Sequence, residues 1–211
     1  MKNTIISGGI AAIFVMFSCT DHQIIPPPVP MVDLGCLCEG SIETATGDTS
    51  FTYDDTCKFS STKTISSTSL SEAQYQTQIL NGAMNQGFEV EMRSLYWTDN
   101  GSNNPTSDDW QAFFENLEVN SPQFHPHTDG SGDGVVIRWT DPNGKIWVSD
   151  TTMDCITDFN YNLFTYDEDT TGEYMEFDAV FNVRMINSDY GVVDSARCLS
   201  NGHIKSAFRL Q

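Results

Sequence analysis

The run Met175-Glu176-Phe177-Asp178-Ala179-Val180-Phe181-Asn182-Val183-Arg184-Met185 constrains this chain more than any other stretch. Apolar side chains stand at every odd number, and the even positions are polar except Val180. Successive strand side chains point to opposite faces, so period two over this span predicts a long strand with one buried face. That face needs a second apolar layer against it.

Further strands are legible nearby. Val135 to Thr140 and Lys145 to Val148 flank Asp141-Pro142-Asn143-Gly144. Pro at the second position and Gly at the fourth favour a type I turn, with Gly144 in the left-handed bulge position of a three-residue loop. With a loop of Pro142 to Gly144, Trp139 and Trp147 stand opposite each other; a two-residue loop puts them on opposite faces. Ser41 to Tyr53 reads as a hairpin turning at Gly47-Asp48, and Tyr161 to Tyr166 and Phe88 to Thr98 read as strands. Val192 to Leu199 returns the chain, Asn201-Gly202 reads as another turn, and Ile204 to Leu210 as a closing strand. The expected fold is mainly β, a single antiparallel β-sandwich or barrel-like domain with one or two short helices.

Two segments read as helical. Ser69-Leu70-Ser71-Glu72 has capping-box spacing, and with Gly82 as a stop it predicts a short helix over 70–80. Ser107 reads as the cap of a second helix. Its apolar stripe is Trp110, Phe113, Phe114 and Leu117, at i, i+3, i+4 and i+7. Asp108 and Asp109 suit the dipole of the first turn.

The amino-terminal 18 residues differ from the rest. Lys2 is the only charged side chain, and Ile5 to Phe17 is apolar apart from Ser7 and two glycines. Such a run is short for a membrane span and suits an export leader. It closes on Met16-Phe17-Ser18-Cys19, which resembles the lipobox of bacterial lipoproteins, with a bulky apolar residue three before the cysteine and a small one just before it. The resemblance implies cleavage of a signal peptide of residues 1–18, acylation (palmitate or a similar chain) on Cys19, and a place in the cell envelope, expected to be the outer membrane. Residues 19–32 then form a tether, in which Pro26-Pro27-Pro28-Val29-Pro30 favours an extended conformation rising ~3.1 Å per residue. Residues 33–211 are the β-rich globular domain. Within it, Asp141-Pro142-Asn143-Gly144-Lys145 and the closing Asn201-Gly202-His203-Ile204-Lys205-Ser206-Ala207-Phe208 resemble the turn-rich strands of small β-sandwich lipoproteins of uncharacterised function.

Charge narrows the partners. Ten basic residues against 29 acidic ones give a formal charge of −19, which repels a phosphate backbone and excludes nucleic acid. Besides Cys19, the cysteines are Cys36, Cys38, Cys57, Cys155 and Cys198. Export permits disulfides. Cys155 with Cys198 is the first expected pair and Cys57 with Cys36 or Cys38 the second, which leaves one of the five over.

The stretch His125-Pro126-His127-Thr128-Asp129-Gly130-Ser131-Gly132-Asp133-Gly134 looks most like chemistry. Asp129, Ser131 and Asp133 place oxygen at positions one, three and five of a calcium-type loop, with Gly134 at position six. Position twelve is Thr140 rather than Glu, so this is no EF-hand. A looser calcium loop and a glycine-rich turn are the two readings. His125 and His127 project to one side of an extended segment and could share a transition metal with a third ligand such as His203. There is no G-x-S-x-G, no Walker-type loop and no H-E-x-x-H, so no catalytic residues are assigned and no cofactor beyond calcium is suggested. Trp139 and Trp147 form a ligand-stacking platform if exposed and core if buried. The expected function is that of a lipid-anchored envelope protein with a binding or structural accessory role toward a glycan, a peptide or a membrane complex. The alternative is a metal- or carboxylate-dependent hydrolase with its site near 125–141.

Overall fold

The computed structural model describes residues 31–81, 86–119, 122–124, 133–151, 154–187 and 195–210. In chain order the elements are β1 (Leu37–Thr44), β2 (Gly47–Tyr53), β3 (Thr56–Thr64), β4 (Ser71–Asn81), β5 (Gln86–Trp97), α1 (Ser107–Val119), β6 (Gly134–Thr140), β7 (Ile146–Asp150), β8 (Asp158–Asp169), β9 (Gly172–Asn187) and β10 (Ala196–Leu210). The protein is mainly β; among the described residues there is one helix, and all pairs between these strands are antiparallel. The sheet order is β2-β1-β10-β9-β7-β6-β5-β4-β3, with β8 also on β9.

The predicted alternating strand is β9, and its length explains the architecture. β10 runs along one side of it. On the other side β8 pairs with Gly172 to Asn182, and β7 with Arg184 to Asn187. The sheet therefore forks along β9 and curls into a half-barrel. Its two halves meet face to face: the hydroxyls of Thr77 in β4 and Ser206 in β10 lie 2.5 Å apart, both buried. Beside them Cys36, just before β1, is bonded to Cys57 in β3, with Cα atoms 6.2 Å apart. This is one of the two alternatives expected for Cys57. The pairing of Cys155 with Cys198 is also present, at a Cα separation of 5.7 Å. Cys38 is the buried free cysteine among the described residues, and burial pushes its thiol well above the ordinary range.

The open side of the curl is filled by α1. Trp110 and Phe114 are fully buried, Phe113 and Leu117 partly, so the sequence stripe is the packing face. Phe114 stacks on Phe208 of β10 at 5.2 Å, and Phe208 on Phe177 of β9 at 4.8 Å, one ladder of rings joining helix and sheet. The cap is Thr106 rather than Ser107. Its hydroxyl accepts from the Asp109 amide at 3.1 Å and donates to the Asp109 carboxylate at 2.7 Å. Ser107 instead donates to Glu173 at the start of β9.

Three further expectations are corrected. Residues 70–80 form no helix; they lie in β4 and its approach. Ala73, Tyr75, Thr77 and Ile79 are buried in alternation with half-exposed Gln74, Gln76 and Gln78. Ring and β-branched residues at period two outweigh local capping chemistry once a sheet is present to receive them. Ser71 accepts from the Ser66 amide at 3.0 Å, closing the β3–β4 turn. The first hairpin turns at Ala45-Thr46, since Thr44 already pairs with Gly47. Asn201-Gly202 is not a turn between strands but an irregularity within β10, where the register to β9 shifts between Leu199 and Gly202.

Candidate functional site

The β6–β7 turn has the geometry its residues favour. The Asp141 amide donates to the Lys145 carbonyl at 2.9 Å, the Gly144 amide to the Asp141 carbonyl at 2.9 Å, and Gly144 has φ +78°. The Asp141 carboxylate is spent inside this turn. Oδ1 accepts from the amides of Asn143 at 2.8 Å and Lys145 at 2.9 Å, and Oδ2 from Trp147 Nε1 at 3.1 Å. The loop is the three-residue form, so Trp139 and Trp147 are cross-strand partners.

Both tryptophans are buried, Trp139 at 4% exposure and Trp147 at 1%. They sit inside a stack. Phe51 of β2 lies on Phe88 of β5 at 4.7 Å, Phe88 on Trp139 at 6.1 Å, and Trp139 beside Trp147 at 6.0 Å. The Arg197 guanidinium covers Trp147 at 4.4 Å from the ring centre. Buried in this row, the two rings offer no exposed stacking platform, and the exposed alternative is corrected.

Trp139 nevertheless borders a cleft of about 270 Å³. The cleft opens where the β1–β2 hairpin splays from the β6–β7 turn. Ile42, Phe51, Tyr53 and Trp139 form its apolar walls; Thr44, Thr49, Ser50, Asn143 and Arg197 line its mouth. Tyr53 accepts from Trp139 Nε1 at 3.2 Å. Burial raises its hydroxyl pKa; the indole hydrogen bond opposes this, while the proximity of Cys38 and Asp141 adds to it. Gly40 of β1 is a requirement of the site. It pairs with Phe51, and a Cβ there would stand 2.9 Å from the Phe51 ring tip, so only glycine lets that ring lie across the strand. Of the cleft residues, the sequence marks Trp139 as a candidate and Asp141, Pro142 and Asn143 as a turn; the fold alone joins these to Ile42, Phe51, Tyr53 and Arg197, from segments up to 155 residues apart in the chain.

The other candidates fall elsewhere. Cys19, His125, His127, Asp129 and Ser131 lie outside the described residues. Asp133 is exposed just before β6. Among the described residues no group of three His, Cys, Asp or Glu side chains is arranged to hold a metal ion. His203 sits on the outer face of the sheet, Nδ1 at 3.3 Å from Glu39 and Nε2 at 3.2 Å from Asp178. Burial would raise the pKa of Asp178, but hydrogen bonds from Asn162 and His203, and the nearby Lys205, hold it below the ordinary value. A groove of about 380 Å³ beside it is lined by Asp33, Leu163, Glu176 and Lys205. There, burial and the neighbouring Asp167 and Asp33 raise Glu176.

A polar chain crosses the outer face of β3 to β6. Ser60 donates to Gln76 at 3.0 Å, Gln76 to Glu91 at 2.9 Å, and Arg138 to Glu91 at 2.8 Å and Glu89 at 2.6 Å. Arg93 Nε also donates to Glu91, which is only 2% exposed. Each of these groups is engaged within the sheet, which marks the chain as structural.

Comparison with known proteins finds no match among family models, curated proteins or solved structures. Among the described residues no helix is long and apolar enough to cross a membrane.

Proposed function

We propose that this is a lipid-anchored envelope protein whose globular domain binds a partner in the aromatic cleft. Acylation at Cys19 is carried by the leader and its Met16-Phe17-Ser18-Cys19 sequence. The observation that joins anchor to cleft is where the stem enters. The Val32 amide donates to Asp169 Oδ2 at 3.1 Å, at the β8–β9 turn. The cleft lies toward the opposite end of β9: Arg197, which lines it, pairs with Met185. Thirteen strand steps separate Gly172 from Met185, about 43 Å along the strand at ~3.3 Å per step. With Cys19 acylated, entry of the chain at the β8–β9 turn supports a cleft at the end of the domain far from the anchored side. Several acyl chains make such an anchor strong, since each buried methylene contributes ~0.8 kcal/mol.

Metabolic labelling with radioactive palmitate tests the anchor. Label is expected in the wild-type chain and absent from Cys19→Ser, which moves from the membrane to the soluble fraction. Unlabelled wild-type protein, with the variant fractionating as wild type does, overturns the anchored reading.

A further inference from the structure

The two ends of the sheet are unlike. β2 and β3 are its terminal strands, each paired on one side only. A strand edge is a template for another chain, and proteins usually blunt it with lysine, proline, a bulge or a cover. β3 is blunted: it carries Lys58 and Lys63, is tied down by the Cys36–Cys57 bond and packs against β10. β2 touches β4, but among the described residues no second strand pairs with it. Gly47-Asp48-Thr49-Ser50-Phe51-Thr52-Tyr53 contains no lysine and no proline, and it pairs with β1 in unbroken register. Four of its first four residues and Thr52 are exposed.

That bare edge borders the cleft, because Thr49, Ser50, Phe51 and Tyr53 all line it. An edge with a side-chain pocket beside it is the arrangement by which sheets take up extended peptides: backbone hydrogen bonds hold the strand and the pocket selects a side chain. Charge then selects the partner. Residues 31–57 carry Asp33, Glu39, Glu43, Asp48, Asp54 and Asp55 and no Lys, Arg or His; Arg197, the cation that lines the cleft, is held over the Trp147 ring. Two copies of this hairpin would repel each other, whereas a basic segment would be drawn in.

Resting on the reading of the cleft as the binding site, we infer that β2 takes up an extended, lysine- or arginine-bearing peptide segment of a partner protein as an added strand, with an apolar side chain of that segment seated in the cleft.

The test uses the full chain and three probes: a blocked nine-residue peptide alternating lysine with valine around a central phenylalanine, the same peptide N-methylated on alternate amides, and a neutral β-linked glucose hexasaccharide. Titration calorimetry gives affinity, and amide hydrogen exchange reports on Thr49 to Tyr53. The lysine peptide is expected to bind at roughly 10–100 µM, weaken with salt and protect β2 amides. Methylation is expected to weaken it about tenfold or more. Thr49→Trp, at an exposed position, is expected to fill the cleft and abolish binding without unfolding the chain. Equal binding of the methylated peptide would reduce the effect to bulk charge and overturn the inference. Hexasaccharide binding that Thr49→Trp abolishes, with no peptide binding, would keep the cleft as the site and overturn the peptide. Dimers held through β2 would replace the partner with a second copy. Failure of every probe, with no dimer, would overturn both the peptide and the cleft.

Discussion

Replacing Glu91 by Gln keeps the shape of the side chain and removes one charge from the most buried carboxylate of the β5–β6 face. Glu91 is 2% exposed and holds the side chains of Arg93, Arg138 and Gln76. Removing one partner of a buried ion pair costs about 3–5 kcal/mol, because the other charge stays in a poorly solvated place. Two features bring Glu91 to the lower end of that range. Arg138 is 30% exposed at its side chain and keeps Glu89, and an amide still accepts a hydrogen bond. A loss of about 3 kcal/mol follows, or roughly 6–12 °C in Tm for a chain of this size. The pH dependence has a definite sign. Burial would raise the pKa of Glu91, but the Arg93 hydrogen bond and the Arg138 guanidinium outweigh it and hold the carboxyl below its ordinary value. A depressed folded-state pKa contributes stability that is present above the unfolded value, ~4.3, and is lost as pH falls through the folded one. Urea unfolding of the wild type and Glu91→Gln should therefore differ fully at pH 7 and converge below about pH 4. A difference under about 1 kcal/mol at pH 7, or one that persists unchanged into acid, refutes the reasoning.

Three further outcomes are expected. Among the described residues the buried Tyr75 hydroxyl has no hydrogen-bond partner, so Tyr75→Phe should be neutral or stabilise by up to about 1 kcal/mol in thermal unfolding; a loss of that size would mean that another group or a bound water satisfies the hydroxyl. Thr106→Ala should cost about 1 kcal/mol and Thr106→Ser much less, because the hydroxyl caps α1; chemical denaturation of both variants decides this. A thiol reagent should find no reactive cysteine in the folded, lipidated chain and one after unfolding, Cys38, since Cys36, Cys57, Cys155 and Cys198 are bonded; a second thiol on unfolding would place Cys19 unacylated.

How much of this could be read from residues depends on the range over which each feature is decided. The β9 strand was legible because its face is written at period two over eleven residues. The β6–β7 turn was legible because Pro142 and Gly144 set backbone angles that need no distant partner. The opposition of Trp139 and Trp147 followed from the turn alone. β4 was misread because Ser69 and Glu72 carry real local chemistry for a helix start, while the reason for a strand is the presence of β3 and β5 on either side. Asn201-Gly202 was misread for a similar reason: the dipeptide suits a positive φ, and Asn201 has one at 51°, but only the sheet decides whether that angle reverses the chain or merely shifts its register.

The cleft lies at the far end of this scale. Phe51 acquires its role from Phe88, Tyr53 from Trp139, and Arg197 from Trp147. Each partnership depends on the curl of the sheet, which depends on β9 being long enough to hold β8 and β7 in succession on one side. A shorter β9 would keep every local motif and lose the meeting of the hairpins. What remains local is the bareness of β2: an edge without lysine or proline, in a stretch from 31 to 57 with six carboxylates and no cation. Solvent alone gives no reason to leave such an edge unguarded, because self-association is its usual consequence. The acidic charge supplies protection against a second copy while leaving the edge open to a basic strand, so the same residues that keep two copies of the chain apart define what the cleft admits.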